Sequence, residues 1–322
     1  MMAITVDNKK RLHWSLVPIP SCADHEVLVE VHSTAVNRAD LLQREGKYPP
    51  PPKASSILGL EMAGIICHVG RHVKNWHVGD RVSSLLSGGG YAEVVAIPAS
   101  HLISIPATWD FNYAAAIPEV FLTAYVNLFR EANLQSFETV IIHGGASGVG
   151  TAAIQLAVQS ECLVIATASS EKKISFCKKL GAECSINYNQ NDFAQVVTKQ
   201  FGGADVILDI SGANYLERNI DTLKSKGRLI FIAILSGNRA ELDIGKVLSN
   251  RLRLFGSTLR SRSDKEKANI INSFKERFWP ELLEGKIKPI IDTIYPIQKI
   301  EEAHERLRTN STIGKIVIEI RK

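Results

Sequence analysis

Between residues 139 and 157 the chain reads T-V-I-I-H-G-G-A-S-G-V-G-T-A-A-I-Q-L-A: a short apolar run, a cluster of glycines, then small residues at helical density. Gly148, Gly150 and Ala153 fit the G-x-G-x-x-A spacing of a dinucleotide fingerprint. In that pattern the first glycine permits a tight turn, the second lets backbone approach a pyrophosphate, and the alanine lets helix and strand pack closely. The N–H groups of Ala146, Ser147, Gly148, Val149 and Gly150 would then face the phosphates at the start of a helix. A purely structural glycine turn is the alternative. The order strand, turn, helix, second strand favours the cofactor.

The tip of the second strand decides which cofactor. NAD-specific folds place an acidic side chain on the ribose hydroxyls about 20 residues on. Here the tip reads Ala168-Ser169-Ser170-Glu171-Lys172-Lys173. Two hydroxyls and two lysines suit an adenosine 2′-phosphate, so NADPH is expected. Glu171 falls past the tip, where a carboxylate favours a helix start. Ser169 or Ser170 as N-cap is a second reading of the same residues, compatible with the first.

Elements of two textures surround these groups. The first third carries short alternating runs, at 26–36, 63–69, 80–86 and 91–97, broken by Pro49 to Pro52 and Gly88 to Gly90. Period-two alternation reads as half-buried strands. From about Pro118, strands at 139–143, 163–168, 185–188, 206–210 and 228–232 alternate with helices at 119–129, 150–159, 192–200 and 215–223. That alternation predicts βαβ units and a parallel sheet covered on both faces. An amphipathic helix at 265–284 and a strand after Gly314 close the chain.

Composition excludes several classes. A formal charge of +5 over 322 residues is mildly basic, and no basic block is interleaved with aromatics, so no nucleic-acid partner is expected. No apolar run is long enough to span a bilayer, and the N-terminus lacks the apolar core of a signal peptide. The five cysteines, Cys22, Cys67, Cys162, Cys177 and Cys184, are odd in number and scattered. They suggest neither a disulfide framework nor a zinc knuckle, and a reducing cytoplasm is the expected compartment. His68, His72 and His77 read as solvated surface residues.

Longer stretches carry a family resemblance: the run from Asn37 through Asp40 and Arg44 to Tyr48, Leu58-Gly-Leu-Glu61-Met-Ala-Gly64, Gly79-Asp-Arg-Val82, Ala115-Ala-Ile-Pro-Glu119-Val-Phe-Leu-Thr123-Ala-Tyr125, Leu180-Gly-Ala, Ile186-Asn-Tyr188, Glu302-Ala-His304 and Gly314-Lys315. In this order they resemble the zinc-free, zeta-crystallin-like quinone oxidoreductases of the medium-chain dehydrogenase/reductase superfamily, nearest the tumour-suppressor-inducible subgroup. The resemblance covers essentially the whole chain. It implies an α/β protein: a mostly β, GroES-like catalytic domain at 1–119 completed by 259–322, and a doubly wound Rossmann domain at 120–258.

It also implies NADPH-dependent, zinc-independent reduction of a quinone or similar conjugated carbonyl compound. Where zinc-dependent relatives carry a cysteine and a G-H-E motif, this chain has Asn37 and Gly59-Leu60-Glu61. Asn37, Asp40 and Tyr48 would line the nicotinamide and substrate cleft, with Tyr48 a hydroxyl donor. Asp40 and Arg44, four apart, could equally be a simple ion pair. Glu61 would be buried and need a cationic or donor partner. Thr123 would lie near the nicotinamide and Tyr188 beside the adenosine phosphate. The segments 232–235, with Ile234, and 257–259, with Leu259, would flank the carboxamide. A homodimer through edge strands near 230–254 is implied. An enoyl or 2-alkenal reductase on the same scaffold is one alternative, and a nucleotide- or RNA-binding crystallin-like protein without turnover is another.

Overall fold

The longest strand organises the first of two compact units. A computed structural model describes residues 1–321. Its contacts divide the chain into a β-rich unit (Met1–Leu122, Arg260–Pro280, Lys288–Lys322) and a second unit (Thr123–Leu259, Glu281–Ile287). In the first, β1 (Met2–Val6) and β2 (Leu12–Leu16) form a ribbon. β3 (Glu26–Val36) alternates buried and half-buried residues over most of its length, as its sequence requires. One edge of β3 pairs antiparallel with β4 (Glu61–Val69). The sheet continues through β5 (Arg81–Leu85) to β7 (Leu102–Ser104).

The other edge of β3 is shared. Its first half pairs with β6 (Val94–Pro98), and its last four residues pair with β15 (Lys315–Glu319), which pairs in turn with β14 (Ile291–Pro296). The C-terminal segment is thus stitched into the sheet begun by the first thirty-odd residues. Helices α1 (Arg38–Arg44), α2 (Phe111–Ala115) and α10 (Ile300–Arg308) belong to this unit, and α3 (Pro118–Tyr125) begins in it. Val27, Val29, Val31, Met62, Ile66 and Ile97 form one of its apolar cores.

The second unit is a six-stranded parallel sheet. Counted along the chain, its strands are β8 (Thr139–Ile142), β9 (Leu163–Ala168), β10 (Cys184–Asn187), β11 (Ala204–Asp209), β12 (Leu223–Phe231) and β13 (Arg253–Gly256). Their spatial order, β10-β9-β8-β11-β12-β13, starts outward from β8 in both directions, which is the doubly wound Rossmann order. The connecting helices are α4 (Gly148–Gln159), α5 (Glu171–Lys179), α6 (Phe193–Phe201), α7 (Leu216–Thr222) and α8 (Ile244–Asn250). α9 (Asp264–Leu283) contributes its last residues here. The helix expected at 119–129 turns out shorter: after Tyr125 the backbone widens into a π-helical turn, with the Ala132 N–H bonded to the Asn127 carbonyl five residues back.

All five cysteines are free. Burial raises the thiols of Cys22, Cys67 and Cys184 and pushes Cys177, behind the glycine turn, up to about 12. His68, His72 and His77 are exposed. Among the described residues, no helix is long and apolar enough to cross a membrane.

His143 closes β8 with a buried polar network. Its Nε2 donates to Asn219 Oδ1 at 2.8 Å, its Nδ1 accepts from the Thr167 hydroxyl at 3.0 Å, and the Asn219 amide donates to Asp209. Phe193 and Tyr215 meet the ring edge-on. Burial lowers His143 to about 4, so the fold holds it neutral while the unfolded chain protonates it near 6.5. The unfolded state therefore binds more protons as pH falls through 6.5, and stability from this group is lost on acidification. His143→Asn is expected to be less stable than wild type at pH 7. In urea melts the gap should narrow by about 2 kcal/mol by pH 5, since the variant lacks this titration.

Candidate functional site

Two groups of polar residues stand out, one in each unit. In the β-rich unit, pairing of Val36 with Ile316 and of Thr34 with Met62 brings Asn37, Glu61 and Lys315 to the same end of three adjacent strands. Glu61 is fully buried. Its Oε1 meets the Lys315 ammonium at 2.7 Å and accepts from the Asn37 amide at 2.9 Å, and its Oε2 accepts from the Glu119 N–H at 2.8 Å. Lys315, also buried, donates to Asn37 Oδ1 at 2.6 Å and to the Val36 carbonyl. The expected cationic partner of Glu61 is thus Lys315.

Asn37 and Asp40 are both engaged by this arrangement. Asn37 caps α1: its N–H donates to Asp40 Oδ2 while its own amide is held between Glu61, Ala35 and Lys315. Asp40 is fully buried, and its other oxygen accepts from the Gly59 N–H at 2.9 Å. Burial raises its carboxyl to about 6 against the pull of those two N–H groups. Both side chains, expected as substrate contacts, hold the start of α1 and the Gly59 turn. The Asp40–Arg44 ion pair does not form either, because Arg44 reaches Glu301 at 2.7 Å.

Tyr48 is placed differently. It is half-buried, the Arg260 guanidinium lies over its ring at 5.3 Å, and among the described residues nothing hydrogen-bonds its hydroxyl. Burial and the charge of Glu119 raise that hydroxyl, so it stays a donor. Arg260 and Lys267 are both buried, anchored on Ser87 (Arg260 to its carbonyl at 2.9 Å, Lys267 to its hydroxyl at 2.7 Å), and neither makes an ion pair among the described residues. The sequence reading gave Glu119, Arg260 and Lys267 no role. An acid after proline at a helix start reads as ordinary N-terminal charge, and Arg260 and Lys267 sit in a stretch of mixed charge.

In the parallel-sheet unit the glycine turn is built as expected, with one change of roles. The tight turn belongs to Gly144, whose φ of 66° is left-handed, whereas Gly148 is already the first residue of α4. A Cβ on Gly150 would sit 2.3 Å from the Gly144 carbonyl oxygen, so bare backbone there lets the helix close onto the turn. Ser147 caps α4 by accepting from the Gly150 N–H at 3.0 Å. The N–H groups of Gly148 and Val149 have no helical carbonyl to bond and point out of the helix start. Ala146 is buried in the turn.

At the neighbouring strand ends, Ala168 pairs with Asn187, which sets Ser169 and Ser170 beside Tyr188. Ser170 caps α5, so the capping reading holds for it. Lys172 and Tyr188 are exposed. Glu171 accepts from the Asn187 amide at 2.8 Å. Thr123 accepts from the Asn127 amide through its carbonyl. Ile234 is exposed after β12, and Leu259 is buried.

A GroES-like β unit and a Rossmann unit in one chain define the architecture of the medium-chain dehydrogenases/reductases. The chain matches the alcohol dehydrogenase GroES-like domain over residues 23–107 and the domain described as zinc-binding dehydrogenase over 148–275. It is 31% identical to the Homo sapiens quinone oxidoreductase over 310 residues, 94% of this chain and 91% of that protein. Escherichia coli quinone oxidoreductase complexed with NADPH superimposes with a TM-score of 0.88 at 26% identity, covering 99% of this chain and 100% of that one. The CurK enoyl reductase gives 0.86 at 27%, covering 99% and 98%. The chain belongs to the quinone oxidoreductase family of medium-chain dehydrogenases/reductases.

Removing Lys315 leaves Glu61 charged, buried and short of its main partner. Lys315→Met should therefore lower the unfolding free energy by about 3–5 kcal/mol. Adding Glu61→Gln should restore a large part of that loss, and chemical denaturation of the single and double variants checks both.

Proposed function

We propose that this chain is an NADPH-dependent, zinc-independent oxidoreductase that reduces a quinone or a similar conjugated carbonyl compound. The carrying observation is the composition of the β9 and β10 strand ends. Ser169, Ser170, Lys172 and Tyr188 gather there, and the one nearby carboxylate, Glu171, is engaged by Asn187. A 2′-phosphate finds hydroxyl and ammonium donors at that place, and Glu171, the acid beside them, already has one oxygen on Asn187. The NADPH-bound relative supports the same choice.

NADPH, when bound, supplies the hydride. The residues of this chain hold and orient: the α4 N-terminus takes the pyrophosphate, and Thr123, Ile234 and Leu259 serve the nicotinamide end. In the β-rich unit Tyr48 donates to the acceptor oxygen, and the buried cations Arg260 and Lys267 favour negative charge as it develops there. Zinc is disfavoured by the residues themselves. Asn37 and Leu60 stand where a thiolate and an imidazole would be needed, and the Lys315 ammonium already supplies positive charge to Glu61. The outer edge of β13 and the exposed side chains of Ile244 and Leu248 on α8 suit pairing with a second copy, which sedimentation velocity would detect.

Titration of the purified protein with NADPH and NADH, then absorbance loss with 1,2-naphthoquinone and a 2-alkenal, tests the reading. NADPH selectivity with quinone turnover is expected. Lys172→Ala should weaken NADPH binding about tenfold, the worth of one charge-assisted hydrogen bond, and leave NADH binding unchanged. Turnover of the alkenal alone would move the protein to the enoyl reductases, and failure to bind either nucleotide would remove the proposal.

A further inference from the structure

Tyr48 is held in place by very little of its own backbone. Upstream, the N–H groups of Gly46 and Lys47 bond back to Gln43 and Leu42 at the end of α1. Downstream, Pro49, Pro50, Pro51 and Pro52 have no N–H to donate, and the Ala54 N–H turns back on the Pro51 carbonyl. Firm attachment resumes at Ile57, whose carbonyl accepts from the Gly89 N–H at 2.8 Å. Among the described residues the Tyr48 N–H has no partner, so the main chain leaves Tyr48 between two anchored ends.

One side chain spans that gap. The chain re-enters the β-rich unit at Arg260, which is buried. Its Nη2 donates to Gln43 Oε1 on α1 at 2.6 Å, its Nε to the Ser87 carbonyl at 2.9 Å, and its Nη1 to the Tyr48 carbonyl at 3.5 Å. Gln43 in turn donates to the Ser56 carbonyl at 2.9 Å, on the far side of the prolines. The guanidinium so fixed lies over the Tyr48 ring, 5.3 Å from its centroid. A cation over the ring face is attracted by the quadrupole of the ring, and a planar guanidinium also stacks on it, which an ammonium does not. Gln43, Tyr48, Ser56, Ser87 and Arg260 all belong to the same unit.

The hydroxyl follows the ring. A tyrosine oxygen lies on the axis of its ring, so holding the ring by its face and the residue by its carbonyl confines the oxygen. Among the described residues nothing bonds that hydroxyl, so no contact at its tip compensates for a ring that shifts. We propose that Arg260 is a positioning residue: by holding the Tyr48 ring from its face, it sets where the hydroxyl meets the acceptor oxygen, and with it kcat. It rests on the reading of Tyr48 as the donor to that oxygen. A misplacement of about 1 Å costs on the order of 100-fold in rate, so geometry alone gives Arg260 a large lever, beyond any effect of its charge.

Fluorotyrosine placed at position 48 reports the ring by fluorine NMR, and kcat with NADPH and 1,2-naphthoquinone reports the chemistry. With Arg260 in place the resonance should lie well away from that of the urea-denatured chain. In Arg260→Met it should move at least halfway toward that value, and kcat should fall about tenfold or more while NADPH affinity holds. Arg260→Lys keeps the charge but cannot span Gln43, Ser87 and Tyr48. Its kcat should stay within about threefold of Arg260→Met, and it decides the matter if the methionine variant does not fold. In a Tyr48→Phe background, with the hydroxyl already gone, Arg260→Met should cost less than about twofold more. A resonance that stays in place in Arg260→Met overturns the assignment. So does wild-type kcat in Arg260→Lys, or an equal loss from Arg260→Met in both backgrounds, since either leaves Arg260 acting through charge. Wild-type kcat in Tyr48→Phe, or no turnover by the wild type, would instead remove the donor reading and the effect on kcat with it. The resonance would then still decide whether Arg260 holds the ring.

Discussion

Glu61 and Lys315, both buried, meet at 2.7 Å, and the pair joins parts of the chain more than 250 residues apart. Two buried charges are tolerated only when each finds its opposite and further donors or acceptors fill the remaining positions. Here Asn37 and the Glu119 N–H complete Glu61, while Asn37 and the Val36 carbonyl complete Lys315. The end of β3, the starts of β4 and β15 and the first turn of α3 are thereby fixed to one point. A pair so dependent on its surroundings adds little net stability by itself. Its effect is geometric: the register of three strands and the position of a helix start become a single condition.

The acids around this pair are satisfied in different ways. Asp40 is satisfied by backbone N–H groups and Glu61 by an ammonium, while among the described residues nothing hydrogen-bonds the Glu119 carboxyl. Arg260 and Lys267 are both buried and held on Ser87, Arg260 lies over the Tyr48 ring, and neither makes an ion pair among the described residues. The parallel-sheet unit solves a different problem. Its turn must present bare N–H groups to an anion, so the residues facing it are small and the polar anchor, His143, is placed behind the turn in a closed network.

Much of this was legible in the residues because it rests on local periodicity. The strands at 26–36 and 163–168 match their alternating and apolar runs to the residue, and the glycine-rich turn announces itself through composition. Long-range pairing was not legible. Nothing near Asn37 or Asp40 reveals that a lysine at 315 and the Gly59 N–H would bond to them. Glu119, Arg260 and Lys267 were missed for the converse reason: each has an ordinary local explanation, and only burial in company makes them unusual. Gly148 satisfies the spacing rule yet already lies within α4, while the left-handed turn falls four residues earlier on Gly144, and only the backbone angle reveals which glycine makes the turn.

The cysteines bear on durability. Conjugated carbonyl compounds are electrophiles that arylate or alkylate proteins, and the attacking species is the thiolate, not the thiol. Burial holds Cys22, Cys67, Cys177 and Cys184 toward the protonated side, Cys177 most strongly, directly behind the turn where a modified side chain would push the glycines apart. The packing that raises these thiols therefore also lowers the thiolate fraction open to such attack.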